Sequence, residues 1–255
     1  MDIKHPGRSA KALFCSPWFA FGMIVATAAW GLHVAALALA PMSVVQCVLA
    51  AGVVLIAVMA DRLFGFQVGR RQWWGLALTA CGLIMLAVTL PTPHGSHSSY
   101  AVPAMVAFEA GLFGIGGLLI LGPRVGAPAE HHGVMLGAAS GVLFGVSDVA
   151  IKALTGLVGL DGLMGLMTPW FLVAVLASVV AFYASARGLQ DGEAVPVIAV
   201  TGTAANISCI AGGIIVFGDP LPGDTVGIII QALAFVMVVV ASALTPAPVR
   251  AAQVA

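Results

Sequence analysis

The chain has 255 residues, of which 61% are hydrophobic and 8% charged. Soluble domains carry about 25% charged residues, so the composition excludes the surface of a soluble protein and points to an all-α, polytopic membrane protein. The formal net charge is zero, which offers a nucleic acid no electrostatic footing.

A membrane-crossing helix needs about 20 apolar residues. Eight such segments are expected, at 17–39, 41–63, 72–90, 101–121, 133–155, 166–187, 194–217 and 224–244. The breaks between them fall at proline, glycine or charge: Ala40-Pro41, GFQVGRRQ, TPHGSHSS, GPRVGAPAEHH, QDGEAVP and GDPLPGD. Lys4, Arg8 and Lys11 precede the first segment, as in a signal peptide, but its apolar run is too long for one and turns directly into a second span. It reads as a retained helix.

Basic residues favour the cytoplasmic side. With the N-terminus inside, Lys4, Arg8, Lys11, Arg62, Arg70, Arg71, Arg124, Arg187 and Arg250 all fall inside, and Lys152 alone falls outside. Both termini are then cytoplasmic, in keeping with an even number of spans.

Two tetrapeptides recur, SPWF at 16–19 and TPWF at 168–171. Each opens a long apolar run. Each is followed by a leucine-to-valine corner (ALALAPMSVVQ, then RGLQDGEAVPVIAV), by an acidic residue at a helix end (Asp61, Asp219) and by a proline pair (TLPTP, LTPAP). The shared order indicates duplication. The copies begin five helices apart, an odd number, so they lie in opposite orientations, an arrangement common in secondary transporters. The expected organisation is an incomplete first repeat of three helices at 1–95, a second repeat of five at 96–248, and a short C-terminal tail at 249–255.

The stretch from Ser16 to Leu90, with AALALAPMSVVQ, an acidic residue and RRQWWGLALTACGLIML, resembles the third-to-fifth helix pattern of the drug/metabolite transporter superfamily. GVLFGVSDVAIKALTG at 141–156 and AVPVIAVTGTAANISCIAGGIIVFGDPL at 194–221 resemble it too. Within that superfamily the chain is most similar to EamA-type and NIPA-like members. The resemblance implies an inverted-repeat helical bundle and transmembrane transport, and its NIPA-like side implies magnesium. It also implies ten helices in two halves of five, or nine, so one or two N-terminal helices are expected to be missing from the first half.

Ionisable residues at membrane depth are functional candidates. Glu109, Asp148, Lys152 and His33 qualify. Counted from the expected segment ends, Glu109 and Asp148 lie about 12 Å below the outer face, and His33 also falls in the outer half. Asp148 and Lys152, spaced i and i+4, share a helix face and are expected to pair. Glu109 has no partner nearby in sequence and suits a proton- or cation-coupled carboxylate. His33 reads either as an interhelical hydrogen bonder or as part of the site. Asn206 lies near mid-membrane, and Gln46 is expected at the cavity mouth. Glu109, Asp148, Lys152, Asn206, Gln46 and His33 are thus the candidate substrate-binding or coupling residues.

Gly133, Gly137, Gly141 and Gly145 recur every fourth residue, the spacing of a close helix contact. Asp219 and Asp224 read as solvated helix-end charges, and Trp18, Trp73, Trp74 and Trp170 as an interfacial belt. Cys15, Cys47, Cys81 and Cys209 fall in apolar segments at no metal-ligating spacing and read as small apolar fillers. His94, His97, His131 and His132 lie in loops. No nucleotide-binding, metalloprotease or nucleophile-elbow motif is legible, so no enzymatic activity, cofactor or metal centre is expected.

The functional expectation is a transporter in the cell membrane that moves a small polar metabolite or cation by alternating access. Its partners are that substrate and lipid, with a homodimer as a further candidate. A NIPA-like magnesium permease and a non-transporting membrane scaffold or subunit are the alternatives.

Overall fold

The computed structural model describes residues 17–49, 70–89, 98–122 and 131–244, together with positions 52, 59, 62, 126 and 128. Among these residues every regular element is helical. The elements are α1 (Pro17–Leu39), a short helical segment at 42–49, α2 (Arg70–Thr89), α3 (Val102–Ile120), α4 (His132–Asp161) with a 3₁₀ turn (Gly162–Leu166), α5 (Pro169–Asp191), α6 (Ala194–Ile215) and α7 (Thr225–Leu244).

Five helices are long and apolar enough to cross a membrane: Ala20–Leu39, Val102–Ile120, His132–Leu166, Pro169–Asp191 and Pro196–Ile215. Shorter apolar stretches cover Trp73–Leu86 and Thr225–Ala241. The protein is therefore a membrane-embedded helical bundle. Of the expected 41–63 span, the part from 50 to 63 lies outside the described residues except at 52, 59 and 62.

Central to the bundle is α4. Of its membrane-crossing stretch 67% is buried, against 6% for α1, so α4 is the hub and α1 is peripheral. It packs most extensively on α5 and α6, then on α3, and touches α1; α2 lies along α7. The glycine stripe explains the close approach of α4 to α6. A Cβ on Gly137 would stand 2.9 Å from the Val197 carbonyl, and Cβ atoms on Gly141 and Gly145 would run into Thr201 and Ser208. Thr201 adds a bond across the seam, its Oγ1 donating to the Gly137 carbonyl at 2.9 Å.

The fifth expected segment, 133–155, is too short. Gly156, just past that expected end, serves packing within the helix: a Cβ there would collide with Ser98. The helix runs on to Asp161 and ends at Gly162, whose φ of 62° suits glycine. At 30 residues it is about 45 Å long. Asp148 therefore sits near its middle, about 20 Å along the axis from its end. Lys152 likewise lies within the helix and is fully buried.

The two Pro-Trp-Phe motifs open helices of equal length: α1 starts at Pro17, α5 at Pro169, and each runs 23 residues. A tight corner follows each, at Ala40-Pro41 and at Gly192-Glu193.

Candidate functional site

Pro41 is where the local chemistry begins. In a continuing helix the Leu37 carbonyl would accept from the amide of residue 41, and proline has no N–H. The last carbonyls of α1 are therefore left without backbone donors at a buried position. Lys152 of α4 supplies the donor. Its Nζ lies 2.6 Å from the Leu37 carbonyl and 2.6 Å from the Ala40 carbonyl. A cation at a helix C-terminus also matches the helix dipole. The Phe217 ring closes the far side, 5.9 Å from Nζ, and Tyr100 braces Phe217 and Trp170 in edge-to-face contacts.

On the other side of the corner, the segment at 42–49 begins with unpaired amides. Asp219 Oδ2 accepts from the Ser43 amide at 2.7 Å. Asp219 reaches this position through the end of α6: Gly218 adopts φ 61°, and the Asp219 amide donates back to the Gly213 carbonyl at 2.9 Å. The left-handed glycine turns the chain back onto the end of α6. Gly213 keeps the approach open, since a Cβ there would overlap the Asp219 carboxylate.

Two expectations are corrected by this arrangement. Asp148 and Lys152 do not pair; Lys152 is drawn forward to the orphaned carbonyls of α1, and Asp148 turns to other partners. Nor is Asp219 a solvated rim charge, being buried against the corner. Asp224 is exposed and accepts from the Gly227 amide at 2.9 Å, capping α7. Asp61 lies outside the described residues.

One turn before Lys152, Asp148 gathers three groups from three other elements. His33 of α1 places Nε2 at 3.5 Å from Oδ1. Gln46 of the 42–49 segment donates from Nε2 to Oδ2 at 3.2 Å. Cys209 of α6 directs its thiol at Oδ2, with Sγ at 3.6 Å. The Asp148 side chain is 25% exposed and that of His33 14%. Gln46 is 4% exposed: it belongs to this cluster and not to a cavity mouth, because the corner folds the 42–49 segment back onto α4.

Glu109 of α3 is close enough to Cys209 to interact with it electrostatically. Its carboxyl is buried, and neither oxygen has a hydrogen-bond partner among the described residues. Asn206, one turn before Cys209 on α6, is buried. No hydrogen bond joins it to the other candidates.

Four of the six candidate residues thus surround the α1 corner: His33, Gln46, Asp148 and Lys152. Glu109 lies next to the cluster, and Asn206 stands apart from its hydrogen bonding. Sequence reasoning missed Cys209, read as an apolar filler, and the pairing of Asp219 with Ser43. The position of Cys209 three residues after Asn206, on a neighbouring face of α6, was the only signal available for it.

An apolar crevice of about 660 Å³ lies between α1, α4 and α5, lined by Trp30, Val34, Ile151, Leu154, Phe171 and Val175 among others. Its walls suit hydrocarbon, so it is no seat for a polar solute. Among the described residues no group of three or more His, Cys, Asp or Glu is placed to hold a metal ion. His94 and His97 lie outside the described residues.

No family model matches the chain, and no solved structure matches it. An uncharacterized protein of Corynebacterium glutamicum is 27% identical over 186 residues, which cover 70% of this chain. The chain spans 62% of that relative's length.

Proposed function

We propose that the chain is a membrane transporter of the drug/metabolite type, moving a small polar metabolite or cation by alternating access. In this reading it has eight spans in two inverted repeats, with both termini in the cytoplasm of a cell-membrane protein. The observation that carries the proposal is the origin of the groups around Asp148. His33 and Gln46 belong to the first repeat, and Asp148 and Cys209 to the second. Inverted-repeat transporters bind substrate near mid-membrane where the repeats meet, and a partly exposed carboxylate near the middle of α4 suits that role. Its surroundings fit a solute with an ammonium, hydroxyl or amide group. Charged groups held inside a bilayer are costly, and only a function that needs them there gives the cost a purpose.

A dedicated magnesium permease fits less well. Magnesium keeps a shell of oxygen ligands and water, whereas the groups around Asp148 are an imidazole, an amide nitrogen and a thiol.

The test is uptake by proteoliposomes. Purified protein is reconstituted, and radiolabelled amino acids, methylammonium and Mg²⁺ are each offered against empty vesicles. Accumulation of an amino acid or methylammonium supports the proposal. Accumulation of Mg²⁺ alone favours the permease, and no accumulation of any probe favours a scaffold.

A further inference from the structure

The surroundings of the Lys152 ammonium have the form of an ion site. Its Nζ meets two backbone carbonyl oxygens at a broken helix end, both at 2.6 Å. An aromatic face stands 5.9 Å away. Asp219 interacts with it electrostatically without direct ion pairing, and its carboxylate is fixed on the Ser43 amide. Carbonyls at unwound helix ends are the groups with which membrane transporters hold alkali cations, and an aromatic face attracts a cation as well. Here the cation is attached to the chain. Lys152 is fully buried, so its charge has no route to solvent and depends wholly on these groups.

We infer that the Leu37 and Ala40 carbonyls, with Phe217 and Asp219, form a binding site for a small monovalent cation, occupied in this chain by its own Lys152 ammonium. The inference goes beyond the transport proposal, since it holds whether or not the protein moves a solute. Two consequences follow. The corner between α1 and the 42–49 segment is held without any free alkali ion. A chain with the lysine side chain cut away presents a vacancy that Na⁺, K⁺ or methylammonium fills.

The test is thermal unfolding of the purified full chain in detergent, in NaCl, KCl, methylammonium chloride or N-methylglucamine chloride at equal ionic strength. The bulky N-methylglucamine ion cannot enter and sets the baseline. Wild-type protein should unfold at the same temperature in all four. Lys152→Ala should unfold lower in N-methylglucamine by about 5–10 °C, the effect of losing charge-assisted bonds in a chain of this size. At least one small cation should restore part of that loss, and Asp219→Asn in the Lys152→Ala background should abolish the restoration. Should Lys152→Ala give no folded protein in N-methylglucamine, its yield on extraction in methylammonium reads the same rescue. Lys152→Arg, which keeps the charge, should then also outlast Lys152→Met, which keeps the length alone. The inference is overturned if no small cation protects or rescues Lys152→Ala, or if Lys152→Met is as stable as Lys152→Arg.

Discussion

Lys152 and Asp219 hold opposite sides of one backbone corner. The lysine binds the carbonyls that end α1, the aspartate binds the first amide side of the segment that follows, and Pro41 lies between them. Neither needs the other in direct contact, because each neutralises the partial charge that a helix end exposes.

Asp219→Ala should therefore destabilise the protein by about 1–3 kcal/mol, since it leaves the Ser43 amide buried and unpaired. Asp219→Asn, which keeps an acceptor and loses the charge, should fall between the two. Thermal unfolding in detergent measures both. If Asp219→Ala unfolds like wild type, the aspartate does not support the corner.

Glu109 should show opposite effects on stability and activity. With no hydrogen-bond partner on either oxygen among the described residues, its carboxyl costs the fold desolvation. Glu109→Met should raise stability by about 1–3 kcal/mol, whereas Glu109→Gln, still polar and unpaired, should change it little. Both should lower proteoliposome uptake if the carboxyl takes part in transport. A lower unfolding temperature for Glu109→Met would mean that the carboxyl is satisfied in the working protein.

The α4–α6 seam should reject a single methyl group. Gly141→Ala places a Cβ on the Thr201 carbonyl and should cost about 1–3 kcal/mol through overpacking. Gly22→Ala in α1 meets nothing within 4 Å and should be neutral or stabilising, by up to about 1 kcal/mol, because alanine favours a helix interior. Equal unfolding temperatures for the two variants would contradict the close packing of this seam.

Much of the helical frame was legible because proline and apolar length leave strong marks. The end of α1 at Leu39 follows from Pro41, which withholds an amide and restricts the residue before it. The glycine spacing in α4 pointed to a close contact, and that contact is with α6. The end of α4 was less legible, since Gly156 has the same sequence signature whether it ends a helix or admits a neighbour. Within the site, Asp148, Lys152, Glu109 and His33 stood out as ionisable groups in apolar segments. Their partners did not. Lys152 meets residues 115 and 112 positions away, Asp148 meets Gln46 across 102, and Asp219 meets Ser43 across 176. Helix periodicity carries no information at that range, so the local i, i+4 pair was the natural expectation, and the demand of the orphaned carbonyls at Pro41 outweighed it.

The proposed chain orientation, read from the basic residues, is open to a direct check. A fluorescent protein fused after Ala255 should fluoresce in intact cells, and alkaline phosphatase fused there should be inactive. The reverse pattern would contradict an arrangement with both termini inside.

The most direct measurement of the central claim is the rate of proteoliposome uptake by Asp148→Asn, using whichever probe wild-type protein accumulates. The surface variant Asp191→Asn, which loses only the exposed pair with Arg187, serves as control. Asp148→Asn keeps the side chain's shape and removes the charge that faces His33 and Gln46 and that, in the proposed transporter, binds the solute. Its uptake rate should fall by about tenfold to a hundredfold, as expected for losing hydrogen bonds to a charged group, while Asp191→Asn and the unfolding temperature stay near wild type. Uptake by Asp148→Asn at the wild-type rate would contradict a substrate site at Asp148.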